Sequence, residues 1–172
     1  FRDQGHKEEA LRWVEQGIAA FPNMRNDELL SLAIELQLAL GQHAEVERLA
    51  WQRFEQAPGC GPFFKLMEAA DLIGCEAALR KRALDFLWQK VAEEEAADSP
   101  VNRSSWGKPR RGDIVFIFLR EGDAEAMWNA FIGGKVDVGL WESVADARGK
   151  THPDEAIALY KRLLPHRVEG GS

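Results

Sequence analysis

A short pattern that recurs along the chain limits the folds open to it. The segments 5–22 and 41–58 both begin with glycine and end with proline, and the two glycines and the two prolines each lie 36 positions apart. Two weaker copies, 122–126 and 153–157, lead into further apolar segments. A period of this length is typical of an α-helical repeat array, whose units must stack on their neighbours to bury their apolar faces. The sequence therefore predicts an all-α fold of stacked helical hairpins.

Apolar periodicity and start and stop signals divide the chain into about nine helices. Asn26 is expected to cap the second helix, and Gly41 is expected to end it in the left-handed conformation that glycine adopts without cost. The segment 58–62 is dense in glycine and proline and is expected to be a loop. The predicted helices are 6–21, 27–40, 43–56, 63–73, 76–95, 114–119, 124–132, 138–148 and 153–164.

The segment 114–119 has two interpretations. It is a continuous apolar run rich in β-branched residues, and taken alone it resembles a buried strand. A single strand would have no partner among helices, and a turn followed by another helix comes directly after it. The context therefore favours a helix.

The expected organisation is one array with an interruption. Residues 1–97 form helical repeats, 98–112 form a polar basic loop, 113–166 continue the same array, and 167–172 form a flexible tail. Four to five antiparallel hairpins, about nine helices in all, would then stack into a right-handed α-α superhelix.

Composition restricts the class of protein. The chain has 172 residues, of which 45% are apolar and 29% charged, with a formal net charge of −6. These values indicate a soluble globular protein. The negative net charge argues against a protein that binds nucleic acid over its whole surface. No apolar run reaches the roughly 18 residues of a membrane span, and no signal-peptide pattern is present. We expect a cytoplasmic protein without membrane contact.

One helical segment is similar to a known repeat. The spacing of Ala10, Val14, Gly17 and Pro22 resembles the second helix of a tetratricopeptide-type repeat, which has small and large residues and a final proline at these offsets. The first-helix signature of that repeat is degenerate in this chain. The resemblance implies a divergent tetratricopeptide-like fold.

Three longer sequence segments resemble one particular protein family. The segments 8–13, 119–128 and 152–160 are similar to the C-terminal helical region of bacterial proteins that carry an N-terminal SWIM-type zinc finger. That family binds zinc through Cys-x-Cys and Cys-x-His, and neither motif occurs here. The resemblance therefore implies architecture and context, with no zinc ligand in this chain. The chain is expected to be part of a larger zinc-finger protein of unknown role, and whether it is a fragment that lacks an N-terminal zinc finger stays open.

Residue types that carry catalysis or bind metals show no suitable pattern. No two of the histidines, His6, His43, His152 and His166, have the i, i+4 spacing of a metal-binding pair. The two cysteines, Cys60 and Cys75, are too few for a four-ligand zinc site and are expected to be reduced and structural. No phosphate loop, dinucleotide fingerprint or nucleophile elbow occurs. The sequence predicts no enzyme activity, no catalytic or metal-binding residue and no cofactor.

Glutamates recur at equivalent repeat positions. Glu9, Glu45, Glu125 and Glu155 could form a line of carboxylates across a groove. Acidic residues are also favoured in the first turn of any helix by the helix dipole. The second explanation requires no function and is preferred.

The interrupting loop provides the candidate contact residues. Residues 99–112 contain four cationic side chains and one tryptophan, and they contain no acidic residue. Cationic side chains can bind phosphates while an aromatic ring stacks on a base. The acidic run 93–95 could neutralise these cations within the molecule. The candidate contacts with nucleic acid or another partner are Arg103, Trp106, Lys108, Arg110 and Arg111.

The preferred function is a non-enzymatic scaffold that binds a protein or peptide. Helical repeats bind partners through side chains that project from successive helices, and some of the six tryptophans are suitable anchors for such a partner. The alternative is a nucleic-acid-binding accessory module that uses the loop 99–112. The sequence leaves open which tryptophans face a groove, which partner binds and what the oligomeric state is.

Overall fold

The computed structural model of the chain describes residues 2–22, 26–97 and 110–169. These residues are almost entirely α-helical and contain no β-strand, so the all-α prediction is confirmed for them. In chain order the helices are α1, Arg2–Ala20; α2, Asp27–Ala39; α3, His43–Gln56; α4, Cys60–Ile73; α5, Glu76–Ala96; α6, Arg111–Glu121; α7, Ala124–Ile132; α8, Trp141–Gly149; and α9, Pro153–Glu169. A short 3₁₀ helix, Val138–Leu140, precedes α8.

The chain forms two compact units, 1–83 and 84–172. In the first unit α2 packs against α1 and α3, and α3 packs against α4. In the second unit α7 packs against α6 and α8, and α8 packs against α9. The helices α1 to α4 and α6 to α9 thus pack on their neighbours in sequence. The boundary between the units falls inside α5, whereas the sequence-based division separates the repeats at 98–112, of which the structure describes only 110–112.

The apolar run 114–119 lies inside α6, which confirms the helical interpretation. Ile114, Val115 and Ile117 are fully buried, whereas Phe116 is partly exposed. The run of apolar residues is continuous because α6 is buried around most of its circumference. The β-branched residues here therefore indicate burial and not a strand.

Three glycines at helix ends have a positive φ angle, namely Gly41, Gly74 and Gly122, with φ of 72°, 73° and 79°. Only glycine adopts this left-handed conformation readily, and the turn that follows satisfies the last carbonyls of the helix. At Gly41, for example, the N–H of the following Gln42 donates to the Gln37 carbonyl. The prediction for Gly41 is confirmed.

One local prediction is wrong, and a second is confirmed only in part. α4 begins at Cys60, so the predicted loop 58–62 ends early. Pro62 is accommodated because the first turn of a helix needs no N–H donor. Asn26 occupies the N-cap position of α2, but its side chain makes no capping bond there; Nδ2 donates to the Phe21 carbonyl at 3.0 Å.

Candidate functional site

The structure describes two of the five candidate contact residues. Arg103, Trp106 and Lys108 lie outside the described residues, and their role stays a prediction. Arg110 is partly exposed and lies beside Glu94, with 3.6 Å between its Nε and Oε2 of the carboxylate. Its backbone N–H also donates to Glu94 Oε1 at 3.2 Å. The acidic run at the end of α5 therefore supplies this cation with a partner.

Arg111 belongs to a buried cluster in the second unit. Its side chain is only 11% exposed, and its Nε and Nη2 donate to the two oxygens of Glu95 at 2.7 and 3.0 Å. Nη1 donates to the Ala130 carbonyl near the end of α7 at 3.0 Å, and the guanidinium lies 5.2 Å from the ring centre of Trp88. All three guanidinium nitrogens thus have partners within the unit, which indicates a structural role.

The two glycines after α7 make room for this cluster. A Cβ atom on Gly133 would lie 2.8 Å from Nη1 of Arg111, and one on Gly134 would overlap both Arg111 and Glu95. The ion pair therefore lies closer to this backbone than any side chain would permit. Sequence analysis had no signal for this contact because it joins three separate segments.

A groove of about 620 Å³ opens on the surface of the second unit between α7 and α9. Its lining is mostly apolar and aromatic. The lining residues come from α7, from α9, and from the first residue of α8 with the segment that leads into it. The lining residues are Trp128, Phe131, Ile132, Gly134, Lys135, Val136, Trp141, Glu155, Ala158, Leu159 and Arg162.

Three aromatic rings form a continuous surface along this groove. Trp128 and Phe131 stack with ring centres 5.6 Å apart, and Phe131 meets Trp141 edge to face at 6.0 Å. The indole N–H of Trp141 donates to the Val136 carbonyl at 3.1 Å, which fixes the ring. Such geometries are the favoured ones for aromatic pairs, so the surface is preorganised.

Arg148 contacts two residues of the groove lining, Glu155 and Trp128. Its side chain is 6% exposed; Nε donates to Glu155 at 2.5 Å and Nη1 donates to Glu125 at 2.8 Å. The guanidinium also lies 4.8 Å from the ring centre of Trp128. One arginine in the last turn of α8 thereby joins the first turns of α7 and α9. The hydrogen bond to Glu155 is the main reason that the pKa of Arg148 is raised.

Three of the four recurring glutamates lie in the first turn of a helix. Glu125 and Glu155 lie in the first turns of their helices and pair with Arg148. Glu45 lies in the first turn of α3 and pairs with Arg48 at 2.9 Å. These three positions place carboxylates where a helix start and a nearby cation both stabilise them. The helix-start explanation is wrong for Glu9, because α1 begins at Arg2 and Glu9 lies inside that helix, beyond its first turn.

The pH dependence of stability is expected to reflect two of these carboxylates. Hydrogen bonding from Arg111 lowers the pKa of Glu95, and hydrogen bonding from Arg148 lowers the pKa of Glu155. The side chain of glutamate in an unfolded chain has a pKa of about 4.3. Because the folded-state pKa is the lower one, the stabilisation is fully present above the unfolded value and is lost as the pH falls through the folded value. The loss is expected to be modest because both carboxylates are partly exposed.

Urea unfolding followed by circular dichroism, from about pH 6 to about pH 3, measures this effect. Glu95→Gln and Glu155→Gln are each expected to show a shallower loss of stability with acid than the unsubstituted chain. Glu35→Gln, an exposed position on α2, is the matched control. Identical acid slopes for all four proteins would contradict the prediction.

The structure adds three further observations. Both cysteines are reduced and half-buried, and burial is the main cause of the raised pKa of Cys75. Among the described residues, no group of three or more His, Cys, Asp or Glu side chains is placed to hold a metal ion. None of the helices in the described ranges is long and apolar enough to cross a membrane.

Comparison with known proteins returns no match to a family model, a curated protein or a solved structure. The resemblance to the helical region of SWIM-type zinc-finger proteins therefore stays a prediction.

The groove is the feature that sequence reasoning missed. The abundance of tryptophan was a signal for it, but the periodicity of α7 and α8 does not show that Trp128 and Trp141 face a common space.

Proposed function

We propose that the chain is a non-enzymatic, tetratricopeptide-like scaffold that binds a protein or peptide partner in the cytoplasm. The site of binding is the groove between α7 and α9. The partner binds by placing apolar side chains between the two helices, as in other helical-repeat proteins.

One observation carries this proposal: the groove is apolar, aromatic and accessible. Ile132 is 60% exposed at its edge although it is a large aliphatic residue. Trp128 and Trp141, which are half-buried, line the same groove. Large aromatic residues beside an accessible aliphatic surface are the composition of binding hot spots. A site of this size accommodates one or two side chains of a peptide.

Peptide selection tests the proposal. A random linear peptide library is selected on the immobilised chain, and the enriched peptides are measured by calorimetry against the unsubstituted chain and Ile132→Ala. We expect Ile132→Ala to weaken binding by about fivefold to tenfold, because an exposed contact is lost without a change in the fold.

Leu72→Ala is the matched control, since Leu72 is a similarly exposed aliphatic residue, 65% exposed, in the other unit. It is expected to leave affinity unchanged. The proposal is overturned if no peptide is enriched, or if both variants bind the enriched peptides as tightly as the unsubstituted chain.

The alternative proposal is a nucleic-acid accessory module that uses the loop 99–112. It would be supported by binding of a single-stranded oligonucleotide that weakens steeply with salt and is lost in the variant Arg103→Ser with Lys108→Ser. Absence of such binding would remove it. Arg110 and Arg111 are left intact in this test because they pair with Glu94 and Glu95.

The family context is a proposal as well. The chain is proposed to be the helical part of a larger SWIM-type zinc-finger protein, on the similarity of the segments 8–13, 119–128 and 152–160. The coding sequence upstream of Phe1 tests it, because that family requires Cys-x-Cys followed by Cys-x-His there. A start codon directly before Phe1 would overturn it.

A further inference from the structure

We propose that copies of this chain associate through their first and last helices, with Trp13 on α1 of one copy inserted beside Leu164 on α9 of the next. The inference adds an interaction surface and its occupant, a second copy of the same chain. It is independent of the peptide-binding groove proposed above, since neither Trp13 nor Leu164 lines that groove.

Trp13 is the residue that calls for a partner. It is 70% exposed, more than any other large hydrophobic residue that the structure describes. A single exposed apolar residue needs no explanation on its own. The internal repeat of the first unit, however, indicates what covers this position.

The 36-residue period of the sequence is also a period of the structure in the first unit. α1 ends at Ala20, and α3 ends 36 residues later at Gln56. Leu30 on α2 and Leu66 on α4, again 36 residues apart, are both fully buried. The pair α1 and α2 therefore corresponds to the pair α3 and α4.

The contacts within these two pairs correspond as well. A Cβ atom on Gly17 of α1 would lie 3.3 Å from Cδ1 of Leu29 on α2. At the positions 36 residues later, Nη2 of Arg53 on α3 donates to the Lys65 carbonyl on α4 at 3.4 Å. The same side of the first helix thus meets the second helix in both pairs.

Position 13 differs from its equivalent, position 49, in what covers it. Leu49 is only 4% exposed, and α3 has a second neighbour, α2, which precedes it. Arg53, one turn after Leu49, donates through Nη1 to Ser31 Oγ on α2 at 3.1 Å, so this side of α3 faces α2. The side of α1 that carries Trp13 is therefore the side on which the repeat places a further helix.

The last helix of the chain presents a surface that fits Trp13. Ile157, Tyr160 and Leu164 are exposed and lie at spacings of three and four residues, on one side of α9. Together with Lys161 and with Glu142 of α8 they line a depression of about 230 Å³. Sites for whole ligands are usually larger, roughly 300–1,000 Å³. This depression suits a single large side chain.

These features favour a second copy as the occupant. Terminal units of helical arrays ordinarily have a polar outer face, which keeps the array soluble. In this chain both terminal helices carry exposed apolar residues instead, Trp13 on α1 and Leu164 with its neighbours on α9. One contact between two copies covers both surfaces, and α9 then lies beside α1 as α2 lies beside α3. Two different surfaces meet, so the interface is heterologous.

The charges beside the two surfaces are complementary. Glu9 is exposed one turn before Trp13, and Lys161 is exposed at the depression. A contact that brings Glu9 to Lys161 pairs opposite charges, which fixes the orientation of the two helices more than it adds affinity. Glu142 also lines the depression, and Arg12, the residue before Trp13, is opposite to it in sign.

Analytical ultracentrifugation of the full chain tests the inference. The weight-average mass is expected to rise by about half or more between about 10 µM and about 1 mM, because contacts of small area are weak. Trp13→Glu and Leu164→Glu are each expected to stay monomeric with an unchanged circular dichroism spectrum, since both residues are exposed. Leu72→Glu, at an exposed aliphatic residue of α4, is the matched control and is expected to associate like the unsubstituted chain.

Mixing the variants identifies which surfaces pair. The Trp13→Glu variant retains the α9 surface and the Leu164→Glu variant retains the α1 surface, so their equimolar mixture is expected to form a 1:1 dimer. Glu9→Lys and Lys161→Glu are each expected to weaken association of the otherwise unsubstituted chain by about twofold to fivefold, and the two together are expected to restore it.

Four results would overturn the inference. The first is a chain that stays monomeric over the whole concentration range. The second is a loss of association in Leu72→Glu as large as in the two surface variants, which indicates nonspecific contact. The third is an associating chain whose two surface variants do not dimerise when mixed, which indicates that like surfaces pair. The fourth is a doubly exchanged chain that associates no better than the single exchanges, which excludes contact of Glu9 with Lys161.

Discussion

Replacing Phe63 by alanine is expected to lower the free energy of unfolding by about 3–5 kcal/mol. Phe63 begins the apolar face of α4, has no exposed surface and packs edge to face on Phe64 with 5.5 Å between ring centres. Removal of the ring takes away its burial and leaves a cavity that rigid helices fill only in part. Urea unfolding followed by circular dichroism measures the change.

Leu72→Ala, in the same helix, is the control for this prediction. Leu72 is exposed, so its truncation leaves no cavity and is expected to change the free energy of unfolding by less than about 0.5 kcal/mol. Equal effects of the two substitutions would contradict the burial of Phe63.

Replacing Arg111 by lysine is expected to be almost as harmful as replacing it by alanine, with losses of about 2–3 kcal/mol. Lysine keeps the charge but lacks the fork that donates to both oxygens of Glu95 and to the Ala130 carbonyl. It would leave that carbonyl without its donor and Trp88 without the guanidinium. The expected loss is limited because Glu95 is partly exposed and its charge is screened by water.

The neighbouring Arg110 provides a matched control. It also pairs with a glutamate of α5, but its side chain is more exposed and the ion pair is longer. Arg110→Lys is therefore expected to change the free energy of unfolding by less than about 0.5 kcal/mol. A double-mutant cycle of Arg111→Lys with Glu95→Gln isolates the pair, and additive losses would contradict direct coupling.

Much of the fold was predictable because its signals are local. The helix of 114–119 followed from its neighbours along the chain, and the end of α2 at Gly41 followed from the backbone freedom of glycine. The predictions that were wrong involve competition between local signals. Glycine and proline at 58–62 indicated a loop, but proline is equally suited to the first turn of a helix, and α4 begins at Cys60.

The candidate site was less predictable because its residues meet across segments. Sequence analysis selected Arg111 as a possible contact with a partner, yet its guanidinium binds Glu95, from α5, and a carbonyl of α7. It placed Glu155 correctly in a first turn but gave no indication of Arg148, which pairs with it from the preceding helix. Pairing of charges depends on which helix faces become neighbours, and periodicity does not encode this.

The sequence by itself determined the helical class, the approximate helix boundaries and the packing of successive helices on one another. These follow from the period of apolar residues and from helix-ending residues, which act over a few positions. Only the tertiary structure decided that Trp128, Trp141 and Arg162 line one groove, and that Gly133 and Gly134 make room for an ion pair. The physical reason is that a groove and a buried ion pair exist only when residues far apart in sequence are brought within contact distance. The local pattern of apolar residues does not specify which residues meet in this way.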